Sequence, residues 1–595
     1  MANGKELDYL FEASWEVANK VGGIYTVVSS KAQYSMKLAR KYLMFGPYIE
    51  EKSKQEFVER TPPAMYRRAM SYMKQRGINV HYGHWQIPGE PEVMLIDYSN
   101  LWEKKNEIKA WLWENFGIDS LFAGQDFEEP IIWAWATGML IEQLVKHLKI
   151  DGEKIIAHFH EWLSGAALLY LKKHDPRVRT VFTTHATMLG RTLAGGGVLL
   201  YEELEKINPD EEAKKHGIQA KHLTEKACAL NATIFSTVSD ITGREAERFF
   251  GRKPEAILPN GLDMSRYPTL EETTLLHVKS REAIREFISY YFFPYYTFDL
   301  RHNLIFFISG RYEYRNKGID ITIKALARLN EELKKEKSRR TITTFFFVPL
   351  GVKGIRVELL ENKNKYDTIS NFVEWHEKDI LERVKASIIS GKNLVRTPIF
   401  SKEFLVEAKK HMLGFKREGN PPICTHYLIN ENEKIIQDLY ALGLDNKPDD
   451  PVKVIVYPVY LSENDGLLGM PYYHVIAGSH LGIFPSYYEP WGYTPLESAT
   501  MGTPAVTSDM AGFGKYLLEK QRDTGTIGKG IYVVKRDEKT DDEAIDDLFR
   551  ILKRFASLTH PQRVHERLSA KTLSELFDWS QLILYYEGAY KKALS

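Results

Sequence analysis

The sequence predicts an α/β protein in which two doubly wound parallel sheets face each other across a cleft. Short apolar runs of strand length recur along the chain without polar/apolar alternation, as in strands that helices cover on both faces. Amphipathic helical stretches such as Ala220–Leu230 and Gly318–Leu333 separate them, which is typical of repeated βαβ units. Polar clusters end the runs in both halves of the chain. Because ligands bind beyond the carboxyl ends of parallel strands, this favours two facing sheets over one large sheet.

Eight apolar runs are predicted as strands: Leu10–Ala13, Ile155–His160, Val181–His185, Ile234–Ser239, Ala256–Gly261, Leu304–Gly310, Val452–Tyr457 and Leu481–Ser486. Residues 353–440 interrupt the pattern, since they are rich in Lys and Glu and are helical in character at Val373–Ile389 and Lys402–Gly414. We interpret them as a helical insertion in the second half. Composition leaves two explanations equally open, a partner-contact surface and a solvated helical hairpin.

Composition excludes several classes of protein. The 595 residues carry 80 Lys and Arg against 79 Asp and Glu, a net charge of +1, which argues against a nucleic-acid partner or a polybasic membrane anchor. The longest strongly apolar stretch, Ile131–Ile141, ends at Glu142 and is short of the ~20 residues that cross a bilayer. Two isolated cysteines offer no disulfide framework, and no signal peptide is visible. We therefore expect a cytoplasmic protein.

Two carboxylates near a predicted helix start indicate a binding pocket in the second half. Thr494-Pro495-Leu496-Glu497 is predicted to be a capping box, with Thr at N-cap, Pro at N1 and Glu at N3. Glu489 lies eight residues before Glu497 in the preceding loop. A helix start beyond a strand also binds phosphate through its free amides. The two glutamates therefore suit a nucleotide-sugar pocket; the alternative is that Glu497 only caps the helix.

Cationic and imidazole side chains follow other predicted strands. Arg311 and Lys317 come after Leu304–Gly310 and could neutralise a diphosphate. Lys20 precedes the Gly22-Gly23 pair, where a ligand can approach the backbone closely. In the first half, His158, His160, His185 and Arg191 follow or end two further strands.

We predict no metal and no cofactor. His158, His160 and Glu161 lack the spacing of a His-Glu-x-x-His zinc site, and the sequence contains no Asp-x-Asp triplet. Arg, Lys and helix amides would then stabilise a departing diphosphate.

These motifs together resemble the eukaryotic-type glycogen (starch) synthases, which are retaining glycosyltransferases of the GT-B architecture with two facing Rossmann-like domains. The matching blocks span nearly the whole chain in family order: Phe11–Glu12, Glu16–Tyr25, Ala157–Leu163, Thr183–Arg191, Leu258–Gly261, Gly310–Tyr314, Asn316–Gly318 and Phe484–Pro495. Lys20 stands where many members have Arg, which keeps the charge but loses bidentate phosphate binding.

The resemblance implies transfer of glucose from UDP-glucose to the non-reducing 4-hydroxyl of an α-1,4-glucan with retention of configuration. It implies four catalytic residues, Glu489, His185, Arg311 and Lys317. It also implies that the substrates are bound by Lys20, Gly22, Gly23, His160, Arg191, Asn260, Trp491, Gly492, Tyr493, Thr494 and Glu497. Glu497 would hold the ribose, and Glu489 would contact the transferred glucose. No opposite-face nucleophile is identifiable, so we favour a front-face mechanism assisted by the leaving phosphate.

The resemblance also bears on domains, assembly and regulation. We expect an acceptor-side domain at 1–275, with 573–595 packing back on it, and a nucleotide-sugar domain at 276–572. The family's helical insertion mediates tetramer formation, so we expect a homo-oligomer, with a tetramer favoured. Residues 558–579 offer fewer Arg residues than the helix of the glucose-6-phosphate-responsive members. Two alternatives stay open: a related transferase with another donor or acceptor, such as ADP-glucose or a sucrose- or trehalose-type synthesis, and a noncatalytic glucan-binding protein.

Overall fold

The computed structural model describes residues 7–148, 154–395, 397–524 and 530–595. Within these ranges the chain forms two large sheets and one small antiparallel pair of strands. The predicted fold class, α/β with two mainly parallel sheets and a helical insertion in the second half, is confirmed.

The first half of the described chain builds a mixed sheet in the order β3-β4-β5-β2-β1-β6-β7-β8-β9. Its strands are β1 (Leu7–Ala13), β2 (Ala39–Pro47), β3 (Phe57–Glu59), β4 (Asn79–Trp85), β5 (Glu92–Asp97), β6 (Ile155–His160), β7 (Arg179–Thr184), β8 (Ile234–Thr237) and β9 (Ala256–Ile257). β3 and β4 are antiparallel to their neighbours, and the other strands pair in parallel. Phe11 and Leu10 of β1 enter different apolar clusters, so both faces are covered.

The second half builds a parallel sheet in the order β14-β11-β10-β15-β16-β17 and a separate β12–β13 pair. The strands are β10 (Asn303–Ser309), β11 (Thr341–Phe347), β12 (Val352–Ile355), β13 (His426–Leu428), β14 (Val452–Tyr457), β15 (Leu481–Ile483), β16 (Ala505–Ser508) and β17 (Ile531–Val534). Phe306 and Phe307 of β10 point into the two opposite apolar layers. Continuous apolar runs are therefore buried on both faces, as a parallel sheet requires.

Helices cover both sheets. The described α-helices are α1 (Gly23–Ser35), α2 (Glu50–Glu56), α3 (Ala64–Lys74), α4 (Lys105–Phe116), α5 (Gln125–His147), α6 (Gly165–His174), α7 (Met188–Gly195), α8 (Leu200–Glu203), α9 (Pro209–Lys215), α10 (Gln219–Asn231), α11 (Asp240–Phe250), α12 (Leu270–Phe292), α13 (Ile319–Lys335), α14 (Val357–Ile389), α15 (Lys402–Phe415), α16 (Lys434–Ala441), α17 (Tyr472–Gly478), α18 (Tyr493–Thr500), α19 (Gly512–Thr524), α20 (Asp541–Ser557), α21 (His560–Ser574) and α22 (Trp579–Leu594). In the part of the chain that the structure describes, none of these helices has the length and apolar character to cross a membrane.

One sequence prediction is confirmed and one needs correction. The apolar stretch Ile131–Ile141 is part of a buried helix, as expected, and lies inside the longer helix α5. Glu142 continues this buried helix because its carboxylate accepts hydrogen bonds from Lys146 at 2.6 Å and from the Tyr170 hydroxyl at 2.9 Å. The strand expected at Ala256–Gly261 ends at Ile257.

The insertion contains more than helices. α14 and α15 pack against each other through stacked Phe372 and Phe404 rings, whose centroids are 4.9 Å apart, and β12 and β13 form an antiparallel ribbon at the base. α14 begins at Val357, earlier than the predicted start at residue 373.

The last helix, α22, lies against the first sheet rather than the second. The Trp579 indole nitrogen donates to Ser30 of α1 at 2.7 Å, and the Tyr590 hydroxyl lies 2.9 Å from Nδ1 of His158 within β6. The chain end therefore contributes directly to the core behind the residues described next.

Candidate active site

Buried histidines stand at the carboxyl ends of β6 and β7. His160 ends β6, His185 follows β7, and His160 Nδ1 lies 2.9 Å from His185 Nε2. His160 Nε2 lies 2.7 Å from Glu12 Oε1 of β1. Both ring nitrogens of His160 are thus engaged by protein groups. His160 therefore has no free polar atom for the substrate contact that was expected of it, and it lies behind His185.

The turn after β6 holds the backbone of the His185 loop. Glu161 has a positive φ of 64°, which is unusual for a non-glycine residue. Its Oε1 accepts hydrogen bonds from the amides of His185 at 2.9 Å and Ala186 at 3.0 Å. Burial raises the pKa of Glu161 to about 7, against the opposing effect of Arg191. Arg191, exposed on α7, also interacts electrostatically with Glu313 and so reaches the second half of the chain.

Lys317 and Glu489 form a direct ion pair between two separate loops of the second half. The Asn316 carbonyl accepts hydrogen bonds from the amides of Tyr487 at 2.9 Å and Tyr488 at 3.3 Å, which ties the two loops together. Gly318, at φ +68°, allows the close approach, because a Cβ there would lie 2.2 Å from the Pro485 carbonyl oxygen. The two side chains remain 19% and 20% exposed, so a ligand can reach them.

Arg311 stands apart from this pair. Its side chain is 72% exposed and contacts Glu313 through Nη2 at 2.9 Å. An exposed ion pair of this kind contributes little to stability, so the guanidinium is available to an incoming anion.

Glu497 binds two tyrosines and does not cap its helix. Its carboxylate accepts hydrogen bonds from Tyr472 at 3.3 Å and Tyr473 at 3.2 Å, and burial raises its pKa against those two bonds. The predicted capping box is wrong, since α18 begins at Tyr493 with Gly492 as its N-cap at φ 101°. The left-handed glycine starts the helix before Thr494, which removes the cap-only interpretation of Glu497.

A cavity of about 430 Å³ joins Glu497 to the first half of the chain. Lys20, Tyr25, Arg266 and Tyr267 line it from the first half, and Tyr473 lines it with Glu497 from the second. The cavity therefore lies between the two sheet systems and presents two cationic side chains, the two carboxylates of Asp263 and Glu497, and several aromatic rings.

The glycine-rich turn at the start of α1 is partly occupied by the protein itself. The amides of Gly22 and Tyr25 both donate to Glu16 Oε2 at 2.8 Å. The Gly22 amide expected to bind phosphate is therefore already hydrogen-bonded. Gly23 is exposed, and nothing lies within 4 Å of the position of a Cβ there.

The remaining predicted residues differ in accessibility. Trp491 is buried and packs against Phe513 and Tyr516, with ring centroids 6.2 and 6.0 Å away, so the structure gives it a packing position. Asn260 is buried, and within the described residues its Oδ1 has no hydrogen-bond partner. Thr494 is half-buried in the first turn of α18.

Comparison with known proteins identifies the family. A family model described as glycogen synthase matches residues 12–595. A glycogen [starch] synthase of Dictyostelium discoideum is 37% identical over 589 residues, which cover 98% of this chain and 66% of that protein. The liver glycogen [starch] synthase of Rattus norvegicus is 36% identical over 594 residues, covering 98% of this chain and 83% of that protein.

The chain belongs to the glycogen synthase family.

Glycogen synthases are glucosyltransferases, and the fold agrees. The catalytic domain of starch synthase IV from Arabidopsis thaliana, solved with ADP and acarbose, has a TM-score of 0.52 and 13% identity over 99% of each chain. At this identity the likeness concerns the fold alone. Within the described residues, this member has one group that could hold a metal ion, formed by Glu12, His158 and His160. The Lys31 ammonium lies 2.6 Å from Glu12 Oε1 and would repel a cation there.

Sequence reasoning missed several polar residues around the site. Glu12 and Lys31 form a fully buried ion pair behind His160, and Glu16 occupies the glycine-rich turn. All three lie within or beside the matching blocks that characterise this family, but their contacts arise from distant segments. A carboxylate or ammonium inside an apolar run, as at Glu12 of β1, was the one available signal.

A second cavity, of about 230 Å³, contains what we term the arginine cluster, Arg281, Arg563 and Arg567, together with His277 and His480. Burial, Arg340 and Arg281 lower the pKa of Arg563 to about 10, and burial and Arg281 do the same for Arg567. Helix α21 thus supplies two of these arginines, and Arg281 of α12 supplies the third.

Proposed function

We propose that this member of the glycogen synthase family transfers glucose from UDP-glucose to the non-reducing 4-hydroxyl of an α-1,4-glucan, with retention of configuration. The observation that carries the proposal is the contact between Lys317 and Glu489. A cavity that both halves of the chain line, with Glu497 in its wall, supports it. A cation for the leaving group and a carboxylate for the sugar are the two charges that this reaction needs in one place.

The roles follow from charge and exposure. Arg311 exchanges its exposed partner Glu313 for the donor diphosphate, and Lys317 neutralises the charge that grows on the leaving oxygen. Glu489 then holds the transferred glucose. Glu497, with its two tyrosines, holds the ribose, and the aromatic cavity around Tyr267 and Tyr473 accommodates the nucleoside.

The transfer proceeds on one face of the sugar. The bond between the anomeric carbon and the phosphate oxygen breaks, and the acceptor 4-oxygen bonds to the same face. The proton of the acceptor hydroxyl moves to the departing phosphate. The buried glutamates Glu12 and Glu161 are held by Lys31 and by backbone amides, so neither is presented as an opposite-face nucleophile of a double displacement.

The test uses the full chain with UDP-glucose and a short maltooligosaccharide, and measures both UDP release and glucan length. Glu489→Gln should lose most of the turnover while its thermal midpoint stays near that of the wild type. Glu107→Gln, on the exposed face of α4, is the matched control and should keep full activity. No elongation by the wild type with either UDP- or ADP-glucose would refute the proposal, and a faster reaction with ADP-glucose would refute the donor assignment.

We propose further that the α14–α15 hairpin joins copies of the chain into a homo-oligomer, with a tetramer favoured. Large apolar side chains stand in solvent here, with Trp375 and Ile389 both 85% exposed and Val395 95% exposed. Across the described part of α15, no residue is buried. Exposed apolar surface of this extent is typical of an interaction site.

Light scattering tests the assembly. Trp375→Glu should lower the mass of the particle in solution, because a charge would be buried at the interface. Phe122→Glu, which alters a 96% exposed ring in the first half, is the control and should leave the mass unchanged. A wild-type monomer, or equal masses for all three proteins, would contradict the proposal.

We further propose residues 1–275 with 573–595, and 276–572, as the two domains, and a cytoplasmic location.

A further inference from the structure

A line of buried polar side chains leads from the interior of the first sheet to His185. Lys31 Nζ lies 2.6 Å from Glu12 Oε1, Glu12 Oε1 lies 2.7 Å from His160 Nε2, and His160 Nδ1 lies 2.9 Å from His185 Nε2. The Lys31, Glu12 and His160 side chains are fully buried. Such a line has to be satisfied internally, because water does not reach its members.

The charges on this line are already balanced without the histidines. Lys31 and Glu12 form the ion pair, and the Tyr42 hydroxyl donates to the second oxygen of Glu12. A proton added to His160 would leave a net positive charge in a region from which solvent is excluded. In agreement, burial lowers the pKa of His160 despite the nearby Glu12, and burial and His160 hold the pKa of His185 well below its ordinary value.

When the imidazole rings of His160 and His185 are both neutral, only one arrangement of their ring hydrogens satisfies these hydrogen bonds. The Glu12 carboxylate can only accept, so His160 carries its hydrogen on Nε2 and donates there. His160 Nδ1 then has a lone pair and can only accept. The hydrogen bond to His185 therefore requires a hydrogen on His185 Nε2, which leaves His185 Nδ1 as a bare acceptor.

That acceptor is unused by the protein. The backbone amide of His185 is held by Glu161, and the ring by His160. Among the described residues, His185 Nδ1 makes no hydrogen bond, while the residue keeps 7% exposure. His158 does not compete for it, because its two nitrogens contact Tyr590 and Thr183.

We propose that Glu12 and His160 are positioning residues that lock His185 in the Nε2–H tautomer, so that Nδ1 accepts a hydrogen bond from a hydroxyl of the bound sugar. The inference rests on the proposed transfer reaction for the identity of the ligand, and it deepens the role of His185. A site of this kind distinguishes a hydroxyl donor from a group that can only accept.

Two substitutions at position 160 separate tautomer control from simple packing. In His160→Asn the side-chain oxygen lies near the position of Nδ1, so His185 keeps its acceptor. In His160→Gln the amide reaches toward Glu12 and leaves His185 Nε2 without a partner. We expect His160→Gln to lower kcat by about 10- to 100-fold, by analogy with the loss that follows removal of the second partner of a metal-ligating histidine. His160→Asn should stay within about threefold of the wild type in kcat, and both variants should keep the KM for the glucan acceptor. Equal losses in kcat in the two variants would overturn the proposal.

A second measurement does not depend on turnover. Neutron diffraction from deuterium-exchanged crystals of the wild-type protein should show deuterium on Nε2 of both His160 and His185 and none on His185 Nδ1. Deuterium on His160 Nδ1, or on His185 Nδ1, would overturn the assignment even if the glutamine variant fails to fold. Absence of glucose transfer by the wild type would instead overturn the proposed function, and the neutron map would still decide the tautomer.

Discussion

Replacing Glu245 by Gln should stabilise the protein in a pH-dependent way. Glu245 is fully buried on α11 and accepts hydrogen bonds from Tyr201 at 2.6 Å, Thr187 at 2.9 Å and Tyr488 at 3.3 Å. Burial outweighs these three bonds and raises its pKa from 4.5 to about 7. Glutamine has the shape of the protonated acid and carries no charge at any pH.

The sign of the effect follows from proton binding in the two states. Between pH 4.5 and 7 the unfolded chain releases the Glu245 proton while the folded protein retains it. The free energy of unfolding therefore falls as the pH rises through this window and levels off above it. At pH 8 the pKa shift corresponds to a loss of about 3 kcal/mol in the free energy of unfolding. Below pH 4.5 both states are protonated and the contribution vanishes.

Thermal unfolding at a series of pH values tests the reasoning. Glu245→Gln should match the wild type near pH 4.5 and have the higher midpoint at pH 8. Glu247→Gln, exposed on the same helix, is the control and should follow the wild-type curve. A difference between Glu245→Gln and wild type that is the same at every pH would refute the argument, because it would show a packing effect rather than a linked proton.

Three further results are expected. Gly318→Ala should lose stability and turnover, because its Cβ would meet the Pro485 carbonyl oxygen. Gly443→Ala, at a similar positive φ with open space around it, is the control and should lose much less. Equal thermal midpoints for the two variants would contradict the clash. Lys31→Met should lower the free energy of unfolding by about 3–5 kcal/mol, since it leaves a buried charge on Glu12. Adding Glu12→Gln should recover part of this lost free energy, as measured by urea unfolding. No recovery in the double variant would count against the ion pair. Inorganic phosphate should raise the thermal midpoint more than chloride at equal ionic strength by relieving repulsion within the arginine cluster, and identical midpoints would argue against an anion site there.

Several strands were predictable because apolar residues form the majority of the run, even where buried polar residues interrupt it. β6, β10 and β14 are of this kind, although His158, His160 and Lys453 are buried within β6 and β14. β11 was missed because it opens with Thr341, Ile342, Thr343 and Thr344. Thr343 is buried all the same, since Asn303 of the neighbouring strand donates to it at 3.1 Å. A partner 40 positions away along the chain leaves no trace in local periodicity.

The same limit applied to the site. Polar residues after strands indicated which segments meet, and Lys317 and Glu489 are indeed in contact. The capping motif at Thr494 was misleading, because local spacing favoured a helix start that Gly492 overrides with its positive φ. The occupied amide of Gly22 was equally invisible, since a glycine pair does not reveal that Glu16 accepts its hydrogen bond.

By itself, the sequence determined the α/β class, the two-sheet arrangement and the family, because these follow from local apolar runs and contiguous motifs. Only the tertiary structure decided how the charges are paired. Lys31 meets Glu12 across 19 residues, Lys317 meets Glu489 across 172, and His158 meets Tyr590 across 432. Each pairing depends on which strands are neighbours in a sheet and on how helices pack over them. Hydrogen-bond direction, protonation and tautomer then follow from burial, which spacing along a chain does not encode.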